Sequence, residues 1–467
     1  MSFVRQSKYR HVFGAEAKLQ FQYTELRPYV SAWDSNWVAA SSQYFAFSSL
    51  GGGGACHILK YDQTGKQKGK EVIIDAHSGK MQDLNFSPFN PLLLGTAAMD
   101  LEAKIWSLPK DGIDKKTTIN EPAVVLQGHD KKVGIIKFHP TAANTVVTAA
   151  QDSTVKFWDI ESGKESISVD CLDTPICHDI AFNKNGSQFA FTSKDKKFKL
   201  CDPRSNKITV ETEGHQGTRG SRCLWMTGLD KLFSCGSTKL SEREYMLWDP
   251  RNMEKPMVQQ ILDVGAGMVM PFYDEDTSML YLAGKGDGNI RFFEIVPDDP
   301  YFHLVDAFKS TKAQLGMAMC PKYMLDTSTC EVTRLLKLLS DSVVPLSFCV
   351  PRKATYFQSD IYPDTLAPEA VLTHEEWVGG KDEDPKLMSL DPKKNPDLAD
   401  MLVKASSDFV SNQEKTAPKT KLPKVVTDPK SLAKQNEQFR ERIDALEKEK
   451  FDLEAQVAEL KKQLEEK

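Results

Sequence analysis

One spacing, repeated five times, restricts this chain to a narrow set of architectures. Its clearest copy begins at Gly128-His129 and runs through an apolar strand at Val133–Phe138 and a second at residues 145–149. It then passes Asp152 and ends on Val155 to Trp158-Asp159. His77 leads in the same way to Ile105-Trp106, and Gly214-His215 leads to Trp248-Asp249. Degenerate copies end at Cys201-Asp202 and Phe293-Glu294. The markers Trp106, Trp158, Cys201, Trp248 and Phe293 lie 52, 43, 47 and 45 residues apart, and the longest gap carries a polar insert near residues 110–120. A repeat of about 40–45 residues with period-2 apolar strands is a four-stranded antiparallel unit that cannot bury both faces alone.

Units of this kind stack until a ring closes, so the fold class expected is all-β: a seven-bladed WD-repeat β-propeller over residues 1–350, with residues 122–160 as one blade. Five copies fill about residues 67–295. Strand-like material at 44–47 and 56–61, and at Gly316–Met319 and 345–350, supplies one more blade from each flank. A strand near residues 9–13 is expected to complete the last blade and remove its exposed edge. Within a blade, His129, Thr148, Asp152 and Trp158 are expected to form one buried hydrogen-bond network rather than a catalytic His/Asp pair, because buried polar groups need partners.

Composition sets the class of protein. The chain has 467 residues, 40% hydrophobic and 27% charged, with net charge −5, so no basic domain argues for nucleic acid. Its nine cysteines are scattered without C-x-x-C spacing, which points away from zinc and redox motifs. The first ten residues lack a signal-peptide core, and no apolar run approaches the ~18 residues of a membrane span. A soluble cytosolic protein in a reducing compartment is expected. Catalysis is not expected. Glycines 51–54 lack the Gly-Lys-Ser/Thr of a nucleotide loop and read as a hairpin turn, and residues 284–288 read as an inter-strand turn. No cofactor is implied.

After about residue 390 the composition changes. Residues 391–430 hold five prolines and many lysines, as a linker does, and 411–430 carry net +3. From Leu432 apolar positions alternate at four and three residues, with no Pro or Gly over 431–467. Leu432, Phe439, Leu446, Leu453 and Leu460 fall at d, and Asn436, Ile443, Lys450, Val457 and Leu464 at a. This is an oligomerising coiled coil of about five heptads, roughly 54 Å long at ~1.5 Å per residue. Ile443 and Val457 at a lean towards two strands. Arg442 at g and Glu447 at e, in Arg442-Ile-Asp-Ala-Leu-Glu447, resemble the known Arg-aliphatic-x-x-aliphatic-Glu trimer signature. Three chains are preferred, with two and an antiparallel four as alternatives.

Several blocks are not general propeller words. Ser7-Lys-Tyr-Arg-His-Val-Phe-Gly14, Ser31-Ala-Trp-Asp-Ser35 and Ser241-Glu-Arg-Glu244 resemble the coronin family. So do Met270-Pro-Phe-Tyr-Asp274, residues 282–291, Val350-Pro-Arg-Lys353 and Asp360-Ile-Tyr-Pro-Asp-Thr365. The resemblance implies binding to actin filaments and to the actin-related-protein nucleating complex, in the cytoplasm at the actin-rich cortex. It also implies that residues 351–390 form an extension on the propeller underside, anchored by Tyr356, Phe357, Tyr362 and Trp377. The match departs at Ser359, where the family has Asp. The family's filament-contacting Arg lies midway between the first two blocks, which gives Arg27 in Thr24-Glu-Leu-Arg-Pro28. Lys8, Arg10 and Arg243 are further candidates for one basic face, and Ser2 resembles a kinase site near the family's N-terminus. The rival reading is a propeller scaffold for vesicle or signalling proteins with no filament affinity.

Overall fold

The computed structural model describes residues 6–395 apart from 31–33, 51–53, 71, 111, 114–115, 171–176 and 353–355. Linker residues 396–430 and the whole heptad region, with Phe439, Arg442, Ile443, Leu446, Glu447, Leu453, Val457, Leu460 and Leu464, lie outside the described residues. So does Ser2.

Seven sheets, antiparallel but for one short parallel pair in each of two, make the ring. In blade 3 the strands are Val133–Phe138, Thr145–Ala150, Thr154–Asp159 and Lys164–Asp170, paired in chain order. The second strand is buried along its whole length. The fourth strand of the next blade, Lys207–Glu213, alternates exposed and half-buried residues. That contrast follows from position: inner strands are covered on both faces by neighbouring blades, and the outermost strand is covered on one. The sequence repeat and the blade are out of step by one strand. Val124–Leu126 pairs with Ala103–Ser107 and belongs to blade 2, so residues 122–160 are not a single blade but tie two together. The polar insert also has a place, since Thr118–Ile119 returns to pair parallel with Ile73–Asp75 as a fifth strand of blade 1.

The closing strand lies later than residues 9–13. Phe13–Glu16 pairs with Ser342–Cys349 of blade 7, and Tyr23–Thr24 continues the pairing at the other end of the same strand. Tyr9 is instead buried in the core, with its hydroxyl donating to the Ile361 carbonyl at 3.0 Å. A buried tyrosine whose hydroxyl needs an acceptor is drawn to the extension rather than to the sheet face.

The hairpins between second and third strands define one rim, called upper here, and the turns between first and second strands define the lower rim. Residues 284–288 are an upper hairpin between Met279–Gly284 and Ile290–Ile295. Strands Tyr44–Ser48 and Ala55–Lys60 pair antiparallel on either side of the glycine run, of which 51–53 lie outside the described residues. The extension packs at the lower side. Tyr362 and Trp377 are buried and Phe357 packs on the core, but Tyr356 is 72% exposed and anchors nothing. Ser359 is exposed.

Candidate functional site

Arg27 is exposed on the upper rim, and three backbone hydrogen bonds fix the segment that carries it. Leu26 N donates to the Asp341 carbonyl (2.9 Å) in the upper hairpin of blade 7. Leu50 N donates to the Arg27 carbonyl (2.9 Å), and Tyr29 N to the Ser48 carbonyl (2.9 Å), both from the edge of blade 1. The turn is sharp because Glu25 adopts a left-handed backbone (φ 61°), after which Pro28 bridges to Ser49. The loop therefore sits where the ring closes.

Lys8 and Arg10 are exposed too, but at the other rim. Strand Ser342–Cys349 shows this directly: Thr24 faces its upper end at Ser342, and Phe13 faces its lower end at Cys349. Lys8 precedes Phe13, and its ammonium donates to the Asp360 carbonyl at 2.8 Å in the extension. Arg243 starts a third strand at the upper side, yet it is 5% exposed and bound by Asp263 and by Asp287 (2.7 Å). Burial alone lowers its basicity, but the two carboxylates outweigh that and hold it firmly charged. The expected shared basic face does not form, because two of its members lie on the opposite rim and a third is locked inside.

His129 Nδ1 bonds the Asp152 carboxylate at 2.8 Å and Nε2 bonds Thr148 Oγ1 at 2.7 Å. Trp158 Nε1 donates to the same hydroxyl at 2.8 Å. Blade 2 repeats the set with His77, Thr96, Asp100 and Trp106. A third set holds His215, Ser234 and Trp248, with Glu244 in place of the Asp. The imidazoles are enclosed, and every member is spent on another, so the set holds strands together instead of facing a substrate. Burial raises the Asp152 carboxyl, but bonds from His129 and Thr154 outweigh it and hold it well below the usual range. A depressed carboxylate contributes its full stability above its unfolded value of about 4 and loses it progressively as pH falls from there towards the lower folded value. Asp152→Asn is expected to cost about 1.5 kcal/mol near neutral pH and to flatten the acid side of the stability profile, read by thermal unfolding between pH 3 and 7.

A cluster the repeat did not disclose lines the central channel, beside a cavity of about 270 Å³. Asp179 accepts from Lys137 (2.7 Å) and pairs with Arg222 (3.0 Å), while Arg222 also donates to the Asp34 carbonyl (3.0 Å). Ser35 donates to Asp83 at 2.7 Å. Burial pushes Asp83 up despite its hydrogen bonds, whereas Arg222 and Lys137 overcome burial at Asp179 and hold it down. These residues come from five places in the chain and share no local pattern. Their ion pairs satisfy one another, as buried charges must. Among the described residues no group of three or more His, Cys, Asp or Glu side chains is placed to hold a metal, and no helix is long and apolar enough to cross a membrane.

Comparison with known proteins agrees with this architecture. Family models match a WD domain, G-beta repeat, at residues 120–159, a type of WD40 repeat at 343–385, and a domain of unknown function (DUF1899) at 2–66. The WD40 domain of Toxoplasma gondii coronin superposes with a TM-score of 0.77 at 31% identity, covering 82% of this chain and 98% of that one. The ring and its His–Ser/Thr–Trp networks thus define a WD-repeat propeller. Coronin-A of Dictyostelium discoideum is 40% identical over 83% of this chain and 86% of its own length. Human Coronin-2A is 36% identical, over 83% and 75%. The coronin-like protein crn1 of Schizosaccharomyces pombe is 38% identical over 83% of this chain, which spans 65% of that relative's length. The chain belongs to the coronin family.

Proposed function

We propose that the propeller binds actin filaments through its upper rim, with Arg27 as the main charged contact, and that the coil at 431–467 joins several propellers into one cross-linking assembly. The observation that carries the reading is the setting of Arg27: an exposed guanidinium on backbone fixed to two hairpins, at the position the coronin resemblance gives to the filament contact. With its backbone already fixed, only the side chain has to be ordered when the guanidinium pairs with an acidic surface. One such rim binds weakly. Joined rims make the second contact intramolecular and raise apparent affinity by ~10²-fold, without any new contact. The actin-related-protein nucleating complex is the second partner in this reading, and the actin-rich cortex its place of action.

Co-sedimentation with actin filaments, comparing the full chain with residues 1–430, tests both halves. High-speed pellets should contain both proteins, more at low salt than at high. Low-speed pellets, which report bundles, should form with the full chain alone. If neither protein pellets at low salt, the filament reading fails and a scaffold without filament affinity replaces it. If residues 1–430 still bundle, the coil is not the cross-linker.

A further inference from the structure

The upper hairpins of blades 2 to 6 each place one residue in the left-handed region: Leu101 (φ 73°), Ser153 (φ 74°), Lys196 (φ 68°), Ser241 (φ 66°) and Gly286 (φ 86°). Gly286, Ser153 and Ser241 are of types that such turns favour, whereas Lys196 and Leu101 are not. Leu101 is the apolar one of the five. It combines an unfavourable backbone for a leucine with a side chain 41% exposed, so folding gains less from it than from a buried leucine. Single leucines on a surface need no explanation, and Leu240 in the blade 5 hairpin is 80% exposed, so what matters for Leu101 is what stands beside it.

Leu101 has a neighbour of the same kind. Leu50, on the upper hairpin of blade 1, is 64% exposed. The two hairpins are tied through His77, whose N–H donates to the Gly54 carbonyl (3.1 Å) and whose Nδ1 bonds Asp100 (3.0 Å), the residue before Leu101. On its other side Leu50 donates its N–H to the Arg27 carbonyl. Arg27, Leu50 and Leu101 thus follow one another along the upper rim.

We propose that Leu50 and Leu101 are the apolar half of the filament contact, beside the charge of Arg27. The inference rests on the filament reading above and adds to it the chemistry of the partner surface: an acidic group for Arg27 and, next to it, an apolar cleft that takes two leucines. The two halves respond differently to salt. Ion pairing at Arg27 is screened, whereas burial of leucine is not.

The test is filament co-sedimentation of the full chain carrying Leu50→Ser, Leu101→Ser or both, with Arg27→Asp alongside, at two ionic strengths. Each serine variant is expected to bind about fivefold more weakly and the double variant about 25-fold, by the same factor at both salts. Leu101→Ser should melt no lower than the parent, since Ser153 and Ser241 already occupy the equivalent turns. Serine variants that bind like the parent, while Arg27→Asp does not, overturn the apolar contact and leave the filament reading standing. A loss that vanishes at one of the two salts overturns it as well. If the parent itself fails to pellet at low salt, both readings fall together.

Discussion

Arg27→Asp should weaken filament binding by about 30-fold, ~2 kcal/mol, with no measurable change in melting temperature. The two halves of this expectation have separate causes. Binding suffers because an arginine that pairs with an acidic surface becomes a repelling carboxylate. Stability is spared because the fold uses only the backbone here: the Arg27 carbonyl accepts from Leu50 N, and the bonds at Leu26 and Tyr29 flank it. None of these depends on the exposed side chain, and exposed substitutions usually stay within about 0.5 kcal/mol. Lys8→Glu is the matched control. It reverses charge at the lower rim, where the ammonium donates to Asp360, and should leave filament affinity unchanged. Equal pelleting of Arg27→Asp and parent at matched salt would show that the filament contact lies elsewhere.

Trp377→Ala should cost about 4 kcal/mol and loosen the part of the extension around it. Trp377 is 0% exposed, one turn inside a short helix, His374–Val378, whose start is fixed by a capping box between Thr373 and Glu376. The indole stacks on Phe157 (centroids 5.3 Å apart) and meets His139 at 4.5 Å, so it fills the space between blades 3 and 4. Arg204 lies over its face, donates to its carbonyl and pairs with Asp382 at 3.0 Å. Removing the ring leaves a cavity that the closed sheets cannot collapse to fill. Because Ile361, Tyr362 and Leu390 anchor the extension at a separate cluster, the loss should appear first as local opening around the short helix. Trypsin cleavage after Lys381 and Lys386 should accelerate while the blades stay protected. Unchanged cleavage would mean that Trp377 does not hold the extension. Acid should act at the same place, since burial pushes the His139 imidazole down to about 3. A depressed histidine stabilises above its unfolded value, so this contribution fades as pH falls below about 6.5.

The blades were legible because their chemistry is local and periodic. Strands such as Val133–Phe138 and Thr145–Ala150 are apolar where both faces are covered, and each His–Thr–Asp–Trp set recurs at a fixed offset within some thirty residues. Arg27 is proposed by counting between two motifs, which names a residue but not its surroundings. Arg243, a candidate for a basic face by its place in Ser241-Glu-Arg-Glu244, is enclosed for a physical reason: the carboxylates that bind its guanidinium arrive from the next strand and the next blade. Tyr9, apolar enough for a strand, is claimed by the extension instead.

By itself the sequence determined the fold class, which follows from a repeat that cannot bury its faces without neighbours, and the number of blades, from five copies and the strand-like stretch on either flank. It also determined the family, through words that no propeller requires. Only the tertiary structure decided which charges share a surface. Ring closure lays the N-terminal segment along one strand, so Lys8 and Arg10 come to one rim and Arg27 to the other, although they are close neighbours in the chain. Extended backbone advances ~3.3 Å per residue, so a few residues suffice to carry a chain from one face of the ring to the opposite one.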